Sequence, residues 1–471
     1  MLRLEKKVRE RLWQRVNDVV EEYLNGVQTH PVASSFVPEE IRGILREWDF
    51  DEPMEASDAV DRVVRLLRQH QTHVSHPRYY GLFNPAPSTM GIAADTLVAA
   101  FNPQLATWVH CPIGVEMEQH LLRRIGRLFG YREADTGGSF TSCGSEANHT
   151  AVLAALAQRF PDVSRRGLRV LTAQPVLYGS TESHYSLEKA ARQCGLGAEA
   201  VHRVPVDGDL KMRAGALCSR IREDRTAGLE PFLVMATAGT TGAGVIDPLP
   251  DIARVAEQEG LWMHVDAAWG GAAAFVPELR HLLDGCERAD SITLDAHKWL
   301  SMPMAAGMIL TRRPRALWDA FQMDADYLPP RPEGVTEPLA TSMQGSRRLI
   351  GLKLFLTLAV AGWDTYARTL RHQVDMGHLL RRSLGDAGWN VINKTELPLV
   401  CFVDPADGGE AHLKEIARRV VSSGEAWIST ARIGGRTPVL RACITNFRTQ
   451  AEDIAALIAV LDRARRATRT L

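Results

Sequence analysis

Apolar residues at Leu4, Val8, Leu12, Val16, Val19, Val20 and Tyr23 recur at steps of three or four. That spacing predicts an amphipathic helix over residues 2–24, whose stripe has to be buried against something. A Pro-containing stretch, HPVASSFVPEE, follows, and a second helical pattern runs over residues 57–70. The first 80 residues thus read as a helical arm that buries its stripe on another domain or another subunit. From about residue 79 to 315, helical patterns (114–129, 146–160) alternate with short apolar or β-branched runs at 168–171, 232–235, 262–265, 291–294 and 307–310. Such alternation predicts an α/β domain built on a mostly parallel sheet with crossover helices. After a polar, Pro-rich stretch (327–342), a helix over 349–361 leads into a smaller α+β region. The expected division is an arm (1–80), a large domain (81–345) and a small C-terminal domain (346–471).

Composition narrows the partners. Across 471 residues, 55 Lys+Arg stand against 56 Asp+Glu, a net charge of −1. This lacks the positive field of a nucleic-acid binder. No run of about 18 apolar residues is present to span a bilayer, and the charged N-terminus has no signal-peptide core, so no membrane is expected. Seven scattered cysteines without a C-x-x-C pair fit reduced thiols and a cytoplasmic location. The triplet Asn148-His149-Thr150 matches the glycosylation pattern, which has no meaning in that compartment. P-loop, H-E-x-x-H and G-x-S-x-G patterns are missing, and the histidines show no metal-ligand pairing.

Five segments carry candidate chemistry. In LDAHKWL (294–300), a lysine follows a predicted strand and stands between a histidine and a tryptophan. An apolar, partly buried setting disfavours the ammonium form, which makes Lys298 a candidate to hold an aldehyde cofactor as an imine. In HVDAAWGG (264–271), Asp266 closes an apolar strand and small residues let a planar ligand approach. A carboxylate holding a ring-nitrogen proton, paired with an imine-forming lysine, is what a pyridoxal phosphate enzyme requires, because the protonated pyridine is the electron sink for a carbanion. FTSCGSEANHTAVLAALAQRF (140–160) runs from a small-residue loop into a helix. Its first amides, the Ser145 hydroxyl and the close approach allowed by Gly144 suit a cofactor phosphate. His184, in STESHYSLEKAARQCGL (180–196), precedes a helix and can stack on the ring and exchange protons. Thr237, in ATAGTTGAGVIDPL (236–249), lies in a strand-end loop within reach of ring substituents. Taken singly, these residues read as a surface lysine, a turn aspartate, a capped helix and a polar cap.

Together and in this order the five segments resemble the group II pyridoxal-phosphate decarboxylases, a family that includes the aromatic-L-amino-acid, tyrosine, glutamate and cysteine-sulfinate decarboxylases. The resemblance extends through HPRYYGLFNPAPS (76–88), TWVHCPIGVEMEQ (107–119), QGSRRLIGLKLF (344–355) and SGEAWISTARIGGRTPVLRACITNFRT (423–449). It implies the aspartate-aminotransferase type of fold (fold type I), a homodimer with sites at the subunit interface, an arm wrapped on the partner, and decarboxylation of an L-amino acid to an amine and CO2. Residue by residue it implies Lys298 as the imine-forming lysine, Asp266 on the pyridine nitrogen and His184 over the ring. Gly144, Ser145 and His297 would hold the phosphate, and Thr237 and Ala268 would contact the ring.

The resemblance also bears on the substrate. Trp108, Phe83 and Phe101 lie in segments that line the family's substrate pocket, and Trp108 matches a tryptophan of the aromatic-substrate members, which points to an aromatic amino acid. Arg347 is a further substrate-binding candidate, and with Arg348 and Arg441 it is a cation that an acidic substrate would want. Animal and plant members carry a loop tyrosine that protonates Cα, whereas PPRPEGVTEPLATSMQGSRR (329–348) contains no tyrosine. Tyr327 lies upstream, where the family's fixed Tyr-Leu pair falls. Protonation is then left to His184, a water or a residue of the partner subunit. The competing outcome is oxidation of the carbanion by oxygen to an aldehyde, ammonia and hydrogen peroxide.

Overall fold

The computed structural model describes residues 2–323, 326 and 328–469; Tyr327 lies outside them. Seven strands, β1 (Gly137–Thr141), β2 (Pro175–Ser180), β3 (Val201–Val204), β4 (Glu230–Thr237), β5 (Trp262–Asp266), β6 (Ser291–Asp295) and β7 (Gly307–Thr311), form one sheet in the order β1-β7-β6-β5-β4-β2-β3. The neighbours β3, β2, β4, β5 and β6 run parallel, and β7 runs antiparallel to both β6 and β1. Every residue of β1, β2, β5, β6 and β7 is buried, so these strands read as continuous runs rather than as an alternation. Successive side chains point to opposite faces. Leu177, Leu233, Met235 and Ile309 pack on the helices Gly144–Arg159 and Ser186–Gln193. Tyr178, Val234, Val265 and Leu294 pack on the other side with the helices Pro112–Gly126 and Leu249–Glu259.

Two local expectations need correction. The run 168–171 is no strand; it holds a single 3-10 turn (Leu168–Val170) whose side chains are exposed or half-buried. The strand is the fully buried PVLYGS just after it. Three apolar residues in a run of four do not distinguish a buried strand from a margin turn, and Pro175 is tolerated as a first strand residue. The helix expected over 349–361 is the first part of Leu352–Asp386, which continues past a break at Gly362 (φ 68, ψ 170).

A second, antiparallel sheet has the order β10-β11-β9-β8, with β8 Asn390–Val391, β9 Leu399–Val403, β10 Ser429–Ile433 and β11 Thr437–Cys443. Leu399 and Cys401 join the core of the large sheet. Val400 and Phe402 face the helices Glu410–Ser422 and Ala451–Arg469. In the N-terminal region the helices Lys6–Gly26 and Ala56–Gln69 contain no buried residue. They meet through the Arg15–Asp61 and Arg68–Glu22 ion pairs and leave Trp13 58% and Leu67 53% exposed. No helix among the described residues is long and apolar enough to cross a membrane.

Candidate active site

Because β2, β4, β5 and β6 are parallel, the residues at their carboxyl ends, Ser180, Thr237, Asp266 and Asp295, come to one edge of the sheet, where open α/β sheets bind ligands. Opposite them the helix Gly144–Arg159 presents its amino end. Between lies a cavity of about 210 Å³, whose walls include Gly144, Ser145, His184, Thr237, Ala268 and His297, with Asp266 and Lys298. The structure therefore brings all eight cofactor candidates of the sequence into one place.

Lys298 follows β6 by one turn, with its amide on the Asp295 carbonyl (3.2 Å) and its Nζ 3.0 Å from Asp295 Oδ2. Asp266 is buried; Oδ2 accepts from Asn148 Nδ2 (2.8 Å) and Oδ1 from the Ala268 amide (3.1 Å). His184 Nδ1 accepts from the Ser186 amide (3.2 Å), and burial lowers its pKa against the opposing pull of Asp266, so the ring is neutral. His297 is similarly held below the ordinary range by burial, and its Nδ1 accepts from the Ala306 amide (3.1 Å). Thr237 is fixed by its amide, which donates to Asp247 Oδ2 (2.9 Å).

The donor set fits pyridoxal phosphate. A Cβ on Gly144 would lie 2.8 Å from Asp295 Oδ2 and 3.1 Å from Ala268 Cβ, so only glycine keeps this end of the helix open. An amine, a buried carboxylate acceptor and a helix amino end converge as an aldehyde, a pyridine nitrogen and a phosphate require. Asp295 is a site residue that sequence reasoning missed. It is 1% exposed, pairs with Lys298 and has no hydrogen-bond partner for Oδ1 among the described residues. Its position three before Lys298 in LDAHK was the available signal.

The substrate candidates are less gathered. Phe83 is buried, stacked on Trp269 (centroids 4.5 Å apart), with Lys298 Nζ 5.8 Å from its ring. Trp108 and Phe101 do not line the cavity within the chain: Trp108 Nε1 donates to Glu116 Oε1 (2.9 Å), and Phe101 is 81% exposed. The expectation that Arg347 reaches a substrate is not met within the chain, because its buried guanidinium is bound by Glu118, a partner 229 residues away. Arg348 pairs with Asp95 (3.1 Å). Arg441 is buried with its guanidinium 4.7 Å from the Phe83 ring. It donates from Nε to Thr241 O (2.9 Å) and from Nη1 to Gly81 O (2.7 Å), while Nη2 has no partner among the described residues.

Residues 38–404 match the model of the pyridoxal-dependent decarboxylase conserved domain. The chain is 31% identical over 448 residues to cysteine sulfinic acid decarboxylase of Homo sapiens, covering 90% of this chain and 89% of that one. It is 27% identical over 452 residues to aromatic-L-amino-acid decarboxylase of Bacillus atrophaeus, covering 94% and 92%. The crystal structure of Oryza sativa TDC with PLP and tryptamine superimposes with a TM-score of 0.92 at 25% identity, over 99% of both chains.

Proposed function

The chain belongs to the pyridoxal-dependent decarboxylase family and is a pyridoxal-phosphate-dependent carboxy-lyase of amino acids; from that premise we propose that it converts an aromatic L-amino acid to its amine and CO2. The observation that carries this reading is the aromatic wall beside Lys298: Phe83 stacked on Trp269, with Tyr185 and Trp269 on the cavity surface. Flat apolar surface at that spot favours a ring over a charged side chain.

When bound, the cofactor would supply an aldehyde and a protonated pyridine ring able to act as an electron sink. Lys298 would be the amine that holds the aldehyde. Asp266 would keep the pyridine nitrogen protonated, His184 would cover the ring, Thr237 and Ala268 would border it, and Gly144, Ser145 and His297 would hold the phosphate. Which bond breaks is a matter of orientation. Neutral His184 is placed to hold or pass a proton at the substrate's Cα.

The exposed apolar side chains of Trp13, Leu67 and Phe101 support a homodimer in which the arm (1–80) covers the large domain (81–345) and small domain (346–471) of its partner, with Phe101 and Trp108 at the partner's cavity. Seven free cysteines support a cytoplasmic location. A second reading, an acidic side chain, has one specific support: Nη2 of Arg441, which has no partner among the described residues.

The test is CO2 release, amine formation and peroxide formation in air with L-tryptophan, L-tyrosine, L-phenylalanine, L-cysteine sulfinate, L-aspartate and L-glutamate. Turnover of the aromatic substrates to amine, abolished with the visible cofactor band in Lys298→Ala, is expected. Turnover confined to acidic substrates and lost in Arg441→Met would establish the second reading, and stoichiometric peroxide would establish the oxidative route.

A further inference from the structure

Beneath Asp266 lies a chain of buried polar groups that none of the roles above uses. Asn148 Nδ2 donates to Asp266 Oδ2 (2.8 Å) and to Ser186 Oγ (2.8 Å), which occupies both amide hydrogens. Asn148 Oδ1 accepts from Thr293 Oγ1 (2.7 Å) and is 2.9 Å from His264 Nε2. His264 Nδ1 lies 2.8 Å from Ser291 Oγ, which also accepts from Trp262 Nε1 (2.9 Å). Asn148, His264, Ser291 and Thr293 are each at most 1% exposed.

The direction of these bonds follows from the orientation of one amide. Asn148 turns Nδ2 to the Asp266 carboxylate, so its Oδ1 faces Thr293 Oγ1 and His264 Nε2. An amide oxygen only accepts, so the imidazole proton that meets it sits on Nε2. His264 Nδ1 is then the acceptor for the Ser291 hydroxyl, whose remaining lone pairs take the Trp262 indole N–H. Both carboxylate oxygens of Asp266 thus receive N–H groups, one from Asn148 and one from Ala268. Each oxygen keeps a second lone pair, on which the ring nitrogen's proton would be accepted.

We propose that Asn148 and His264 are positioning residues that orient the Asp266 carboxylate as an acceptor, and through it hold the proton on the cofactor's pyridine nitrogen. The inference rests on the cofactor reading of the site; Asn148 borders the cavity beside Asp266, and His264 lies behind it. Burial drives the His264 pKa down to about 4, consistent with a ring that carries one proton. Loss of one hydrogen bond to a buried charge corresponds to a hold on the ring proton about tenfold to hundredfold weaker, or about one to two pH units in its titration.

The experiment uses the full chain reconstituted with pyridoxal phosphate labelled with 15N in the ring, with the 15N shift followed from pH 6 to 9 in the wild type, Asn148→Ala, His264→Phe and the donor-retaining His264→Gln. His184, His297, Asp295 and Lys298 stay unchanged in all four. The wild type is expected to keep the protonated-pyridine shift throughout. Asn148→Ala and His264→Phe should titrate within the range, with His264→Gln restored toward the wild type. Thr293→Val, which removes a hydroxyl without changing shape, tests the same point should Asn148→Ala not fold. Variants that bind the cofactor at Lys298 and keep the wild-type shift would overturn the proposal. Absence of a Lys298-dependent cofactor band in the wild type would overturn the cofactor reading, and this inference with it.

Discussion

Replacing Arg347 by methionine separates a structural role from a substrate-binding one. Arg347 and Glu118 are 5% and 2% exposed, and their ion pair ties the segment before the helix Leu352–Asp386 to the helix Pro112–Gly126. The other carboxylate oxygen of Glu118 accepts from the Gly351 amide (2.8 Å), and the Leu105 amide donates to Arg347 O (2.9 Å). Removing the guanidinium leaves a buried carboxylate with only backbone donors, a change that costs about 3–5 kcal/mol. At the lower bound, amides of residues 105–118 and 345–352 should exchange about a hundredfold faster in Arg347→Met, as hydrogen exchange with mass spectrometry would read. The cost depends on pH. Burial already raises the Glu118 pKa, and loss of Arg347 raises it further. The native state of the variant then binds its proton more tightly than the unfolded chain, so stability falls as pH rises above about 4.5 and the deficit narrows on acidification. Arg347→Met/Glu118→Leu should recover most of the loss, because no charge is left unpaired. Wild-type exchange in Arg347→Met together with a KM raised tenfold or more for acidic substrates would refute the reasoning and make Arg347 a substrate ligand.

Two further outcomes follow from buried groups. His264, driven to about 4 from an ordinary value of 6.5, stays neutral in the native state while the unfolded chain takes up a proton; stability should drop by about 3 kcal/mol as pH falls from about 6.5 to 4. Urea unfolding across that window checks it, and His264→Gln should flatten the dependence. Lys353, 2% exposed, donates to the carbonyls of Pro303 (3.2 Å), Met304 (3.3 Å) and Ala305 (2.9 Å) in the loop after Lys298. Lys353→Met should destabilise that loop by about 1–3 kcal/mol and speed cofactor release, read as faster exchange at 301–306 and faster decay of the cofactor band on dilution.

What was legible in the sequence was what is local. Lys298, Asp266, His184 and Gly144 each stand at the junction of an apolar run with a small or polar residue, and a parallel sheet carries all such junctions to one edge. The run 168–171 misled because its few apolar residues resemble a strand, while the buried segment that follows at 175 opens with a proline. Arg347 misled for a different reason: the acid that binds it is 229 residues away. Trp108 and Phe101 stand at positions that one chain alone does not bring to the cavity.

Asn148 shows where reading along the chain stops. In sequence it is the first residue of a glycosylation triplet; in the fold it is 1% exposed and meets Asp266, His264 and Thr293, which come from two neighbouring strands, β5 and β6. Its role depends on which way its amide faces: Nδ2 lies on Asp266 Oδ2 and Oδ1 takes the Thr293 hydroxyl. Strand spacing and hydrophobic period place a carboxylate at the sheet edge, but its orientation is set by groups that are remote in sequence and converge beneath it. A sequence pattern therefore locates this carboxylate sooner than it explains how it is held, and Asn148 and His264 are where the two questions separate.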